Sequence, residues 1–451
     1  MIKDNPAIQL KDIKGDLKRL WALLGEKIKL LANEYDTAKG SPVFTVKGKY
    51  TTRGWTEWTQ GFMYGMPLIH YEITKDKFSL EYATSGILKN MAQHVSHIGV
   101  HDHGFNNVST YGNLRRLIIE KRIKRDEWLL NFCELALKTS GAVQASRWSN
   151  FEQNPYIYSF NGPQSLFIDT IRSCRALVLA HKLGHSLMGE NDKKISLLER
   201  ACQHILTTAK YNVWYGTNRD FYDIKGRVAH ESVFNTNDGN YRCPNSQQGY
   251  CAFTTWTRGL AWAMLGFAEE LEALGEIDAG EFSPKAPKKT VMQTMQKAAK
   301  AVCDFYIKYT PSDGICYWDT GAPNLYKLGD DYLDKPAKIK NPYEPVDSSA
   351  SAIAAQGLYR LGKYLKDEKY TRYALIVSKR LLSDDYVSLD KKHQGLLLHS
   401  IYHRPNNWDY APDKNLAPYG ESSMWGDYHL AELALLLQRE LNKQPYYKFS
   451  L

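Results

Sequence analysis

Two aspartates in this 451-residue chain stand in settings that favour acid–base chemistry. Asp169 lies in the apolar stretch "GPQSLFIDTIRSC" (162–174), and Asp102 lies between two histidines in "VHDHGF" (100–105). Paired carboxylates are the usual apparatus of glycoside chemistry. Asp102 taken alone is equally consistent with a turn residue that caps the next helix. We treat Asp169 and Asp102 as candidate catalytic residues.

The surroundings of Asp169 predict how it would act. Gly162 and Pro163 are typical of a helix start, so a helix is expected over 163–183, with Asp169 past its first turn and too deep to be an N-cap. That helix is apolar on two faces, which is typical of a helix packed between layers. Desolvation should therefore raise the pKa of Asp169, as a general acid near neutral pH requires.

A second polar and aromatic segment is "SQQGYCAFTTWTRGLAW" (246–262). Gln248 and Arg258 could donate hydrogen bonds to a carboxylate or to hydroxyl groups, and His230 could be a further partner. Tryptophan beside such polar residues suits sugar rings, which stack on indole while their hydroxyls need polar partners. The alternatives are a solvated helix start, tryptophans packed in the core, and a histidine satisfied by the protein itself.

Composition excludes several classes of function. The net charge of +9 is not concentrated in a tail, which disfavours nucleic acid and is compatible with an acidic sugar. The seven cysteines include no close-spaced pair of the zinc type, and the histidines match no metal motif, so we expect no metal and no cofactor.

No apolar run approaches the ~20 residues of a membrane helix, and the first residues contain no apolar signal core. A chain trimmed of its signal would look the same.

Helical periodicity dominates the chain. We predict helices at about 11–35, 58–73, 77–96, 105–118, 124–138, 163–183, 192–211, 253–274, 289–309, 348–365, 368–383 and 424–440. A dozen helices in neighbouring pairs would pack as an all-α toroid of hairpins, and a helical solenoid is the alternative. In a toroid, alternate loops open at one end. The polar segments 53–62, 100–107, 147–169, 230–262, 403–410 and 418–428 could therefore meet around one cleft.

Seven motifs, in order along nearly the whole chain, resemble those of the unsaturated glucuronyl hydrolases of glycoside hydrolase family 88. They are "WTQGF" (58–62), "HDHGF" (101–105), "IDT" (168–170), "QGY" (248–250), "WTRGLAW" (256–262), "DSSASAIAAQGL" (347–358) and "YGESSMWGDY" (419–428). The resemblance implies an (α/α)6 barrel without a metal. It also implies release of a non-reducing-end uronate with a C4=C5 double bond from products of polysaccharide lyases, by addition of water to that bond.

By the same resemblance, Asp169 would match the catalytic acid/base and Asp102 the assisting carboxylate. Trp58 would stack on the unsaturated ring. The other candidate substrate-binding residues are His101, Trp148, His230, Gln248, Trp256, Arg258, Trp262, Ser422 and Ser423. The chain departs from the family pattern at Gln247, where a histidine is expected, and in the polar run 106–113. Both departures concern the leaving sugar.

The resemblance implies one catalytic domain over 1–451, with residues 1–50 as an N-terminal helix and lead-in. We expect an unsaturated and sulfated oligosaccharide, of the ulvan or glycosaminoglycan type, as the substrate. We expect a monomer or weak homodimer in the bacterial cytoplasm or periplasm, with neither nucleic acid nor membrane as a partner. The alternatives are an unsaturated rhamnogalacturonyl hydrolase, an inverting glycosidase acting on saturated glycosides, and a non-catalytic glycan-binding toroid.

Overall fold

The computed structural model describes residues 1–54 and 57–450. The α-helices in these residues are α1 Lys14–Glu34, α2 Gln60–Thr74, α3 Lys77–Asn90, α4 Ala92–Val95, α5 His103–Asn107, α6 Asn113–Ile119, α7 Glu127–Ser146, α8 Thr170–Ser173, α9 Arg175–Lys182, α10 Leu197–Tyr211, α11 Thr257–Gly275, α12 Lys288–Tyr309, α13 Ser348–Leu365, α14 Glu368–Leu381 and α15 Met424–Leu441. A π-helical turn, Val108–Gly112, joins α5 to α6.

The helices form two concentric rings. The inner ring runs from α2 through α5–α6, α8–α9, α11 and α13 to α15, which packs back against α2 and closes the barrel. The outer ring contains α1, α3, α7, α10, α12 and α14, each packed on an inner neighbour. The chain is an (α/α)6 barrel, so the predicted toroid is confirmed and the solenoid alternative is wrong.

Burial separates the two rings. Inner helices such as α11, α13 and α15 are buried on almost every face. Outer helices such as α1 and α12 bury one face and expose the other. This is the difference expected between a helix enclosed by neighbours and a helix at a solvent boundary. The main hydrophobic core contains residues from Ile2 to Phe449, and a small second cluster contains Tyr156, Leu166 and Phe234.

The predicted helix over 163–183 is wrong in its first half. Residues Ser165–Phe167 form a β-strand, β3, and helix begins only at Thr170. Asp169 is therefore the N-cap residue of a short helix and does not lie inside a longer one, although its side chain makes no capping hydrogen bond. The apolar residues of this stretch suit a buried strand as well as a helix, and pairing with a distant strand decides the outcome.

The other strands are short. They are β1 Phe44–Val46, β2 Lys49–Thr51, β4 Leu187–Met188, β5 Lys194–Ile195, β6 Glu231–Phe234 and β7 Tyr241–Asn245. The pairs β1–β2 and β4–β5 are antiparallel hairpins, and β6 lies between β3 and β7 in a three-stranded sheet. Pairing of Phe167 with Glu231 places His230 next to the strand end that leads to Asp169. Among the described residues, no helix is long and apolar enough to cross a bilayer.

Candidate active site

The inner helices begin at one end of the barrel, where their first residues contact one another. The residues at these helix starts are Thr59, Asp102, Asp169, Trp256, Asp347 and Ser423. Unpaired backbone N–H groups and the helix dipole make such ends electropositive. An end of the barrel built from helix N-termini is therefore suited to an anionic ligand.

A cavity of about 400 Å³ opens at this end. Its lining residues are Glu57, Trp58, His97, Gly99, Val100, His101, Asp102, Phe105, Asn106, Phe160, Asp169, Gln247, Gln248, Trp256, Arg258, Trp262, Tyr402 and His403. The volume is in the range of about 300–1,000 Å³ typical of small-molecule sites. Five of the six polar segments expected to meet around a cleft contribute to it, and only 418–428 does not.

His101 lies between the two aspartates on the cavity wall. Its Nε2 is 3.7 Å from Asp102 Oδ1 and 3.6 Å from Asp169 Oδ1, which is ion-pair distance rather than hydrogen-bond distance. Neither ring nitrogen has a hydrogen-bond partner among the described residues, and Asp169 Oδ1 has none either. His101 is 1% exposed, and the aspartates are 8% and 9% exposed. The three groups form a largely buried, closely coupled acid–base cluster.

The pKa values of the cluster differ from those expected from the sequence. Burial raises the pKa of Asp102, and the Asp169 carboxylate adds to that rise. Burial alone would also raise the pKa of Asp169, but His101 outweighs it and holds that pKa below its ordinary value. The pKa of His101 is raised because the two carboxylates outweigh its own burial. The expected raised pKa of Asp169 is therefore wrong, and Asp102 is the carboxyl group of the cluster whose pKa is raised.

The same three side chains are the described residues best placed for a metal ion. The ligand atoms of His101, Asp102 and Asp169 all lie within 4.8 Å of one another. Imidazole and carboxylate are both common metal ligands. The spacing of these residues in the sequence matched no metal motif, so this arrangement arises from the fold.

The aromatic side of the cavity is built around Trp58. One face of its indole stacks on Trp425, with ring centroids 5.2 Å apart and planes at 28°, and Phe62 and Phe105 pack edge-on against it. Trp262 continues this wall, 4.9 Å from Phe105. The packing fixes the orientation of Trp58, whose half-buried indole lines the cavity.

The polar side of the cavity is organised by Arg258, which is 1% exposed. Its Nη2 donates to Gln248 Oε1 at 2.6 Å and to the Tyr402 carbonyl at 2.8 Å, and its Nη1 donates to the Ile401 carbonyl. Asp347 Oδ2 lies 3.4 Å from the same guanidinium. Because Gln248 Oε1 accepts from Arg258, the Gln248 amide group is the part that can donate to a ligand.

His230 lies behind this wall and does not line the cavity. Its ring contacts Phe167 at 4.4 Å and Trp256 at 4.7 Å, and its Nδ1 accepts a hydrogen bond from the Gln247 backbone N–H at 3.0 Å. Burial lowers the pKa of His230 to about 4, so the ring is neutral. In this position it supports Trp256 and the loop before α11.

Three candidate binding residues lie away from the cavity. Trp148 pairs with Ile157 in an isolated bridge and lies under the Arg200 guanidinium. Ser423 is the N-cap of α15 and accepts from the Gly426 N–H, and Ser422 is buried beside Gly395. The structure brings the other nine candidates together, eight of them on the cavity wall and His230 immediately behind it.

Sequence reasoning did not single out several cavity residues. Tyr402 and His403 come from the loop before α15, and Phe160 comes from the loop before β3. His97 and Glu57 are at the rim. The polar–aromatic character of 403–410 and 147–169 was a signal for two of these regions, but single residues in irregular loops carry no periodicity to select them.

The fold and the cavity together define a class of protein. It is an (α/α)6 barrel whose helix-N-terminal end joins paired carboxylates to indole rings, and such pairs serve glycoside chemistry. No protein-family model matches the chain.

The chain is similar to an unsaturated glucuronyl hydrolase of Bacillus sp. (strain GL1), with 25% identity over 402 residues, which are 87% of this chain and 89% of the relative. It is 23% identical to an unsaturated chondroitin disaccharide hydrolase of Streptococcus agalactiae over 442 residues, covering 95% and 91%. The crystal structure of the Bacillus sp. GL1 hydrolase, described as responsible for the degradation of glycosaminoglycan, matches with a TM-score of 0.69 and 22% identity over 93% of this chain and 97% of that one. The resemblance seen in the motifs is confirmed in sequence and in fold.

Proposed function

We propose that this protein is a glycoside hydrolase that releases a 4,5-unsaturated uronic acid from the non-reducing end of oligosaccharides made by polysaccharide lyases. The observation that carries the proposal is the cluster of Asp102, His101 and Asp169 facing an indole-walled cavity at converging helix N-termini. The end-to-end similarity to unsaturated glucuronyl and chondroitin disaccharide hydrolases supports it.

The proposed reaction adds water across the C4=C5 bond. A carboxylic acid donates its proton to C4, which leaves an oxocarbenium-like centre at C5. Water attacks C5 while the conjugate carboxylate takes its proton. The resulting hemiketal opens, and the next sugar leaves from C1 with its oxygen. The carboxylic acid gives one proton to C4 and regains one from the attacking water. One water is consumed, and the catalyst is regenerated.

We assign the proton transfer to Asp169, with Asp102 as the assisting carboxylate. His101 holds the pKa of Asp169 low. A bound uronate brings a negative charge close to this cluster, and a nearby like charge raises a carboxyl pKa. Substrate binding would therefore raise the pKa of Asp169 and favour its protonated form, which is the form that donates to C4. His101 Nε2 lies at ion-pair distance from both carboxylates, so its positive charge stabilises the ionised form of either one.

The cavity walls would hold the sugar ring. The indole of Trp58 lines the cavity and would stack on the ring, and Trp262 extends the same wall. Gln248 would donate its amide N–H to the ring substituents while Arg258 keeps it in place. Arg258 thus acts through Gln248, because its Nη1 and Nη2 groups donate to protein acceptors.

The geometry disfavours an inverting glycosidase. Inverting pairs are roughly 6.5–9.5 Å apart, to leave room for water between carboxylate and ring. Oxygens of Asp102 and Asp169 lie within 4.8 Å of each other. An unsaturated rhamnogalacturonyl hydrolase would share the proposed chemistry and remains the alternative substrate class.

We further propose that residues 1–451 form one catalytic domain, for which the continuous core from Ile2 to Phe449 is support. The net charge of +9 supports a sulfated oligosaccharide of the glycosaminoglycan or ulvan type. The bacterial origin of the relatives supports action in a bacterial cytoplasm or periplasm. A monomer or weak homodimer without nucleic acid or membrane partners remains our proposal for the assembly.

A panel of lyase products tests the substrate class. Unsaturated disaccharides from chondroitin, heparin, ulvan and rhamnogalacturonan, with and without sulfate, would be followed by loss of the enoate ultraviolet absorbance. Turnover of the chondroitin, heparin or ulvan products supports the proposal. Turnover confined to the rhamnogalacturonan product would move the protein to the alternative, and no turnover of any product would contradict the proposal.

A further inference from the structure

We infer that a second cleft, formed by residues 37–41 and the α3–α4 junction, binds the sugars that follow the leaving sugar in longer substrates. This inference rests on the function proposed above. The cleft has a volume of about 640 Å³ and shares two lining residues, Glu57 and His97, with the catalytic cavity. The two spaces therefore meet at the cavity rim.

The course of a bound oligosaccharide follows from where the carboxylates lie. Asp102 and Asp169 are on the buried part of the cavity wall, whereas His97 is exposed. The unsaturated uronate must reach the carboxylates with its non-reducing end. The rest of the chain must then leave across the rim, and at His97 and Glu57 it enters the second cleft.

The lining of the second cleft suits sugar hydroxyls. It is mainly polar, unlike the indole-walled cavity, and includes Gln60, Asn90, Gln93 and His94. His94 Nε2 bonds Gln60 Oε1 at 2.6 Å, and its Nδ1 bonds Asn106 Nδ2 at 3.1 Å. Since Asn106 lines the catalytic cavity, this buried network is a shared wall of fixed geometry between the two spaces.

Two further groups in the cleft have unused hydrogen-bonding capacity. Ser41 is 1% exposed, and its Oγ has no hydrogen-bond partner within residues 1–54 and 57–450. A buried hydroxyl without a partner is costly unless a ligand or water satisfies it. Lys89 is exposed at the edge, makes no ion pair with another described residue, and could meet a sulfate or carboxylate.

A third space gives a natural control. A groove of about 840 Å³ between α1, α2 and the end of α15 is larger, but it shares no lining residue with the catalytic cavity. Lys18 lines this groove and is exposed like Lys89. Size and a surface lysine are thus common to both spaces, and only the second cleft adjoins the site of chemistry.

The experiment compares substrate lengths. Unsaturated di- and tetrasaccharides would be prepared with one lyase from one polysaccharide, and kcat/KM would be measured for wild type, for the Lys89→Ala/Gln93→Ala double variant and for Lys18→Ala. We expect the double variant to lose about five- to tenfold in kcat/KM on the tetrasaccharide through a higher KM, the scale of one or two hydrogen bonds. Its activity on the disaccharide and both activities of Lys18→Ala should stay within twofold of wild type.

The outcomes separate this inference from the function on which it rests. A wild-type protein inactive on every unsaturated disaccharide would contradict the proposed function and this subsite with it. Normal disaccharide turnover with an unchanged tetrasaccharide KM in the double variant would overturn the subsite alone. Equal losses on both lengths would also overturn it, because they would show damage to the catalytic cavity rather than loss of a distal contact.

Discussion

Replacing Trp58 with alanine should weaken substrate binding by an amount that its packing sets. An aromatic side chain buries ~150–250 Å², so one indole face covers about 100 Å² of a ligand. At ~25 cal/mol per Å² this is about 2.5 kcal/mol. A sugar face is partly polar, which reduces the expected loss to about 1–2 kcal/mol, or roughly 5- to 30-fold in KM. In the wild-type protein the other face of Trp58 packs against Trp425 and contributes to the fold.

Trp408 provides the comparison. It is half-buried like Trp58 and packs on Tyr402 and His403, with centroids 5.4 and 5.0 Å away, but it does not line the cavity. KM on an unsaturated disaccharide should rise less than about twofold in Trp408→Ala, and Trp58→Phe should recover part of the loss. Denaturation midpoints would verify that each variant is folded. Equal KM values for folded Trp58→Ala and Trp408→Ala would refute Trp58 as the stacking platform.

Four further predictions concern the two candidate catalytic aspartates, a bound metal ion and one buried carboxyl group. Asp169→Asn should fold and bind substrate but lose at least ~10²-fold in turnover, since general acid–base catalysis typically contributes 10²–10⁴-fold; a variant keeping more than about a tenth of wild-type turnover would not fit that role. Asp102→Asn should also be impaired, with the substrate affinity retained; wild-type turnover would contradict its assisting role. Dialysis against a chelator should leave activity intact, and a loss restored only by a divalent ion would assign the three-ligand cluster to a metal. Burial raises the pKa of Asp319 to about 6, so the protonated side chain stabilises the fold at low pH and this stabilisation is lost as pH rises through 6. The midpoint of Asp319→Asn should therefore rise more, or fall less, than that of wild type between pH 4 and pH 6.5, and an identical change in both proteins would argue against the shift.

Helical periodicity predicted most of the barrel because an inner or outer helix carries its own pattern. It failed at 163–183, where Leu166 and Phe167 satisfy a helical stripe and a buried strand equally well. The deciding interaction is the pairing of β3 with β6, whose partners are more than 60 residues away. That pairing could not be predicted from the local sequence. The position of Asp169 at a helix start follows from the pairing.

Site residues that stand in motifs could be predicted from the sequence. Properties that depend on contacts between residues far apart in the chain could not. Asp347 directly precedes the helix predicted at 348–365, and it caps α13 by accepting from the Ser349 and Ala350 N–H groups. Its contact with Arg258, 89 residues earlier, could not be seen in sequence. The pKa of Asp169 was misjudged for the same reason. Its apolar neighbours argue for a rise, but the lowering comes from His101, which only the fold brings close.

The central claim is that the protein adds water to a C4=C5 bond rather than displacing a glycosidic bond directly. The most direct test offers wild-type protein an unsaturated disaccharide and its saturated twin, and measures enoate absorbance and new reducing ends together. We predict that one reducing end forms for each double bond lost and that the saturated twin is not cleaved. Cleavage of the saturated twin at a comparable rate, or release of the leaving sugar while the enoate absorbance persists, would contradict the account.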